Sequence, residues 1–233
     1  MIKKLNRKIK PSIKEISKIT LATPQIITLD NGIRIYLINT GQQDACKIEF
    51  FFAKGLPDEH KRLVAKSTLR LIKDGTPQFN SAELAEKIDF YGAALNLNAQ
   101  LDASSIVLTA LNKHLPNLIP VVYDIIWNPT FPEYELEVYK KNNQERLKLE
   151  LLKNDVLAYR KFTELIFGIN HPYGYNSYPE TYNDIQRSDL QKHHSERFGS
   201  NNCTIFISGK VGIEEINLIN HYFGKINKIV NPQ

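Results

Sequence analysis

The sequence predicts an α+β fold, a largely antiparallel sheet with helices packed on one face, and three observations predict it. Asn31-Gly32 sits between two β-branched runs, a strong short-range hairpin signal near the start of the chain. Residues 94–111 alternate well enough to make two more strands, whereas residues 63–72 repeat their apolar positions at helical spacing. The elements also fall in a particular order: three strands, two helices, two strands, then a mostly helical half that ends on one strand and one helix.

Taken in order, Ile26-Ile27-Thr28-Leu29 and Ile33-Arg34-Ile35-Tyr36-Leu37-Ile38 are the arms of the hairpin, and Cys46 to Phe52 is the third strand. Leu63, Ser67 and Leu71, with Val64, Thr68 and Ile72, form one stripe of a central helix, with Gly75 as its expected stop. Asn80 or Ser81 caps a second helix that carries Glu83 in its first turn and runs to Tyr91 before Gly92. Two strands joined at Leu101-Asp102-Ala103-Ser104 follow. Helices are then predicted over Leu115–Ile126, Pro132–Asn154 and Val156–Phe167. The polar, aromatic stretch 168–183 reads as a loop, Ser188 opens a helix, Cys203–Ser208 is a strand and Ile213–Phe223 is a closing helix.

A formal charge of +5 invites a nucleic-acid reading, but the excess is local. Of 30 basic residues, Lys3, Lys4, Arg7, Lys8 and Lys10 lie in the first ten positions, so from Pro11 onward basic and acidic residues balance at 25 each. Residues 1–20 are therefore read as a basic, solvated arm ahead of a neutral body, and no nucleic-acid partner is expected. No apolar core of a secretory signal follows Lys10, and no apolar run is long enough for a membrane span. Cys46 and Cys203 each sit in an apolar strand and read as buried free thiols rather than a disulfide, which fits a reducing, cytoplasmic compartment.

The usual catalytic constellations are missing. No glycine-rich loop opens a helix after a strand, and Gly209-Lys210-Val211-Gly212 lacks the spacing and the hydroxyl of a phosphate cradle. Neither cysteine has a polar surrounding that would lower its pKa, and no serine occupies a nucleophile elbow. His193 and His194 are adjacent on a helix, point about 100° apart, and read as exposed helix residues rather than metal ligands. Asp58-Glu59-His60 precedes the central helix, where acidic residues are favoured by the helix dipole alone.

The motif order resembles the N-terminal domain of peptidase family M16, the insulinase family of pitrilysin and the mitochondrial processing peptidases, with its LuxS/MPP-like metallohydrolase fold. The likeness is carried by Leu29-Asp30-Asn31-Gly32-Ile33-Arg34-Ile35, Phe51-Phe52-Ala53-Lys54-Gly55 and Lys73-Asp74-Gly75-Thr76. It continues through Ser81-Ala82-Glu83-Leu84, Tyr91-Gly92-Ala93-Ala94-Leu95-Asn96, Asn128-Pro129-Thr130-Phe131-Pro132, His171-Pro172-Tyr173-Gly174 and the strand from Cys203 to Val211. Active members hold zinc through an inverted His-x-x-Glu-His motif and a later glutamate. The resemblance places these four residues at Lys66, Leu69, Arg70 and Arg146, with Glu145 beside the last. Cations repel a divalent metal and leucine cannot take a proton from bound water, so no metal and no catalytic residue is expected in this chain.

Such a chain is similar to the non-catalytic partners of the family. The resemblance implies one M16-like domain over residues 21–233, the second homologous domain of a full-length subunit being absent. It implies a hetero-oligomer with an active M16 subunit that carries the zinc, and a peptide substrate enclosed between the two. In active relatives a peptide pairs with the sheet edge beside an Asn-Ala pair; Asn98 and Ala99 hold that place here, either contacting peptide or covered by a partner subunit. A non-enzymatic scaffold or peptide-binding module, like the respiratory-complex core subunits of this fold, is the alternative. If Lys66, Arg70 and Arg146 meet, Glu145 is expected to relieve their repulsion before Glu150, and the cluster to tie the central helix to the helix over Glu133–Leu152.

Overall fold

The computed structural model describes residue 10 and residues 21–225, so the expectation of a basic arm falls, except for Lys10, outside the described residues. The described elements are strands β1 (Gln25–Thr28), β2 (Arg34–Asn39), β3 (Ala45–Phe52), β4 (Ala94–Ala99), β5 (Ser104–Leu111) and β6 (Cys203–Gly209). The helices are α1 (Val64–Leu71), α2 (Ser81–Phe90), α3 (Leu115–Trp127), α4 (Glu133–Glu150), α5 (Asn154–Phe167), α6 (Arg187–Arg197) and α7 (Ile213–Phe223). The strands form one six-stranded sheet in the order β1-β2-β6-β3-β5-β4, antiparallel at every step except β2 with β6.

The hairpin forms at its Asn-Gly turn, where Gly32 takes a φ of 92° and the Leu29 and Ile33 backbones close on each other. Alternation then decides which face is covered. Ile35 and Leu37 on β2, Cys46, Ile48, Phe50 and Phe52 on β3, and Ile205 and Ile207 on β6 are all buried beneath the helices. The opposite face of the same strands holds Lys47, Glu49, Tyr36 and Phe206, with Tyr36 stacked on Phe206 at 5.4 Å and half-exposed. The Phe50 ring lies 4.5 Å from that of Phe223, and Phe52 lies 4.7 Å from Phe198, so β3 is bolted to α7 and to the end of α6.

Three local expectations change. The central helix ends at Leu71, capped by Ile72, and Gly75 is not its stop. Gly75 instead bridges to Asn80, and a β-carbon there would come within 2.7 Å of Thr130 Oγ1 and 2.8 Å of the Pro132 ring, so the glycine admits the Asn128–Pro132 link. Helix α6 starts at Arg187, with the Asp189 carboxylate accepting from the Gln186 amide, one residue ahead of Ser188. The chain leaves α4 at Glu150 and begins α5 at Asn154. No residue of α5 is buried, and Tyr159, Phe162 and Leu165 are exposed.

Both cysteines are buried and free. Cys46 pairs with Gly209 and Cys203 with Phe52, at opposite ends of the β3–β6 ladder, so they cannot form a disulfide with each other. Burial, with Glu215 nearby, pushes the Cys46 thiol up to about 11, and burial alone raises that of Cys203. Among the described residues no helix is long and apolar enough to cross a membrane.

Candidate functional site

Three elements converge on one cleft, and the periodicity of each decides which side chains enter it. On α1 positions 64, 68 and 71 are consumed by the core, as is Ile72 just beyond it, while 66 and 70, one helical turn apart, stay on the free flank beside the buried Leu69. On α4 Tyr139, Asn142, Asn143 and Arg146 recur at the same helical spacing. On β4 Leu97 and Ala99 share one side of the strand, while Asn98 points the other way and donates to Ser105 Oγ at 3.3 Å. These nine residues, Lys66, Leu69, Arg70, Leu97, Ala99, Tyr139, Asn142, Asn143 and Arg146, line a cavity of about 540 Å³.

The sequence-derived positions Lys66, Leu69, Arg70 and Arg146 therefore line one cavity with Ala99, while Asn98 lies beside it on the outer face of β4. Leu69 is buried in the wall, and Lys66, Arg70 and Arg146 are exposed to the cavity. Partial burial among the walls, followed by the Arg146 charge and, after the opposing pull of Glu150, that of Arg70, holds the Lys66 ammonium below its ordinary pKa. A second cavity of about 370 Å³ adjoins the first through Lys66 and Arg146.

Two details depart from expectation. Glu145 does not relieve the cations; it pairs with Lys148 at 2.7 Å, on the solvent side of α4. Glu150 does so, one turn beyond Arg146, with its Oε1 at 3.6 Å from Arg146 Nε. A tie between α1 and α4 that the charges did not foretell is a buried hydrogen bond, Ser67 Oγ donating to Tyr139 Oη at 3.3 Å. Beneath it the Asn143 amide donates to the Tyr139 carbonyl at 2.8 Å and accepts from Arg146 Nη2 at 2.7 Å. Sequence reasoning missed Ser67, Tyr139 and Asn143 in these roles. The signal that could have found the last two is their helical register with Arg146.

No histidine, cysteine, aspartate or glutamate lines the cavity, and among the described residues no group of three or more such side chains could hold a metal ion. The cavity presents two cations without an ion pair, a third partly neutralised, a phenol and two amides, beside a strand that, among the described residues, pairs on one side only.

In front of α1, the Glu59 carboxylate accepts the Leu63 and Ala65 amides at 3.3 and 3.0 Å and a hydrogen bond from the Tyr175 hydroxyl, so it caps a helix whose first residue follows a left-handed Leu63. Burial pushes its pKa up to about 7 against those donors. The histidine pair is not exposed as expected. His193 is buried beside Arg197, His60, Asp58 and His194, and His194 Nε2 lies 2.7 Å from the Ile126 carbonyl, because α6 packs that face against α1. Burial, then Arg197 and His60, pushes the His193 pKa down to about 4.

Those two shifts have opposite consequences. His193 lies below its ordinary 6.5 when folded, so its contribution is complete above about pH 6.5 and is lost as pH falls toward 4, by roughly 3 kcal/mol at 1.36 kcal/mol per unit. Glu59 lies above its ordinary 4.5, so stability withheld above pH 7 is regained as pH falls to 4.5. The native protein should therefore show a shallow profile. In urea titrations the Glu59→Gln variant should lose stability steeply between pH 6.5 and 4, and adding His193→Leu should flatten that slope again.

No protein-family model matches the chain. Among curated proteins it is 22% identical over 201 residues to the uncharacterized zinc protease YmxG of Bacillus subtilis, covering 84% of this chain and 49% of that protein. It is 24% identical over 223 residues to mitochondrial-processing peptidase subunit alpha-1 of Dictyostelium discoideum, covering 87% of this chain and 31% of that protein. The chain thus spans about half of one relative and under a third of the other. Among solved structures, a peptidase M16 inactive domain from Pseudomonas fluorescens superposes with a TM-score of 0.82 at 17% identity, covering 88% of this chain and 51% of that one.

Proposed function

We propose that this protein is a non-catalytic subunit or domain of the M16 peptidase family that pairs with an active, zinc-bearing M16 partner and helps enclose a peptide. One observation carries the reading: the cavity lined by Lys66, Leu69, Arg70 and Arg146 offers no metal ligand and no general base, yet it lies against an open sheet edge. Those four positions are assigned as the degenerate metal site, and Asn98 with Ala99 as the strand that a peptide would pair with. The zinc belongs to the partner, and two buried thiols suit a cytoplasmic location.

The test is co-expression with an M16 homologue from the same genome that retains His-x-x-Glu-His. Co-elution on size exclusion, with peptide cleavage greater than that of the active subunit alone, is expected. Stoichiometric zinc in the purified chain, with chelator-sensitive cleavage by the chain by itself, would overturn the reading. Recovery from native lysate with membrane-complex subunits and no peptidase would replace it with the scaffold function of the same fold.

A further inference from the structure

The cleft and the strand edge together specify a ligand class, an inference that rests on the peptide-binding part of the reading above. Among the described residues strand β4 pairs with β5 alone, from Ala94 opposite Thr109 to Ala99 opposite Ser104, so its outer edge offers backbone groups that no described strand takes up. A strand laid along it continues the pleat, so every second side chain projects on the side of Leu97 and Ala99, into the cavity. What waits there is cationic. Among the described residues the side chains of Lys66 and Arg70 form no hydrogen bond or ion pair, and Arg146 is offset only by Glu150 at 3.6 Å. The chain's own counter-charge is partial: Glu145 holds Lys148, while Asp74, which accepts from Ser81 Oγ at 3.4 Å, and Glu150 act on Arg70 and Lys66 through space without a direct ion pair to either.

We propose that this site binds an extended, acidic peptide, its backbone added to the edge of β4 and a carboxylate seated among Lys66, Arg70 and Arg146. A peptide anion completes the counter-charge that Glu150 and Asp74 supply only in part. The Asn142 amide and the Tyr139 hydroxyl, both on the cavity wall, give the carboxylate neutral donors as well. Burial first, and then the Arg146 and Arg70 charges, depress the Lys66 pKa, and an incoming carboxylate beside it opposes both.

The experiment is fluorescence anisotropy of the full chain with short, unstructured, labelled peptides carrying one central Glu or Gln, each as the free acid and as the C-terminal amide. The Glu peptides should bind about tenfold tighter than the Gln peptides, and the preference should shrink as salt rises. A Glu-over-Gln preference that survives amidation assigns the carboxylate to the side chain, and tighter binding of the free acids than of the amides, whichever central residue they carry, assigns it to the chain terminus; both support the proposal. The Lys66→Gln/Arg70→Gln/Arg146→Gln variant should bind Glu and Gln peptides equally, and Arg70→Gln alone should lose part of the preference if the triple variant fails to fold. Alternate N-methylation of the peptide should abolish binding; undiminished binding would overturn the strand addition. Equal binding of all four peptides to the native chain overturns the acidic specificity and leaves the non-catalytic reading in place. No binding of any peptide overturns the peptide-binding part of both.

Discussion

Lys66→His, Leu69→Glu, Arg70→His and Arg146→Glu combined should give a protein that binds zinc with a micromolar or smaller Kd, about 8 kcal/mol or more of binding free energy. The native chain should bind none in the same titration calorimetry. The reasoning starts from α1, where positions 66 and 70 are one turn apart on the flank that faces the cavity, so imidazoles there converge on one point. Position 146 approaches from α4 and supplies the third ligand, while position 69 lies in the wall where a carboxylate would meet metal-bound water. Three cations that repel a divalent ion leave in the same step. Omitting Leu69→Glu should leave zinc affinity largely intact, because that residue is assigned to the water rather than the metal. A quadruple variant that folds and binds no zinc at micromolar concentration would show that position 146 or the shared geometry has been misassigned.

The second large effect is on stability. Phe50→Ala should destabilise the protein by about 3–5 kcal/mol, read as a lower urea midpoint at unchanged slope. Phe50 is fully buried in β3, which is hydrogen-bonded on both sides by β5 and β6, so the backbone around it has little freedom to collapse into the space left. Its partner Phe223, which also packs against Tyr123 and Trp127, loses a ring contact at 4.5 Å in the same change. For a domain whose whole stability is of order 5–15 kcal/mol, this is a large fraction. Phe206→Ala, on the half-exposed face of β6, should cost much less because less apolar area is lost.

What was legible in the sequence is what local chemistry dictates. Asn31-Gly32 has one low-cost backbone solution, Asn80 with Glu83 forms a capping box, and β3 alternates because one face is covered. The placement of β6 between β2 and β3, parallel to β2, is written in no single segment; it emerges from which apolar faces match. The same divide runs through the site. That 66 and 70 carry cations is plain from residue identity, and the choice of Glu150 over Glu145 beside Arg146 was legible as well, because residues four apart on one helix share a face and adjacent ones do not. His193 looked exposed because its helix is polar by composition, yet α6 packs that position inward and the ring stays neutral. Gly75 mimicked a helix stop because glycine serves two purposes, conformational freedom and close approach, and a sequence does not distinguish them.

Helix α5 has a consequence of its own. With no buried side chain, residues 154–167 are held by their internal hydrogen bonds and by few anchors, such as Arg160 Nη2 on the Ser177 carbonyl and Asn176 on the Arg160 carbonyl. A helix of this length is marginal in water without tertiary support. Its amides are therefore expected to open to solvent at a smaller free-energy cost than those of the sheet, as a folding unit separable from it. Any surface that covers Tyr159, Phe162 and Leu165 adds directly to that cost, so the hydrogen-exchange protection of this helix is a built-in gauge of whether the chain is alone or assembled.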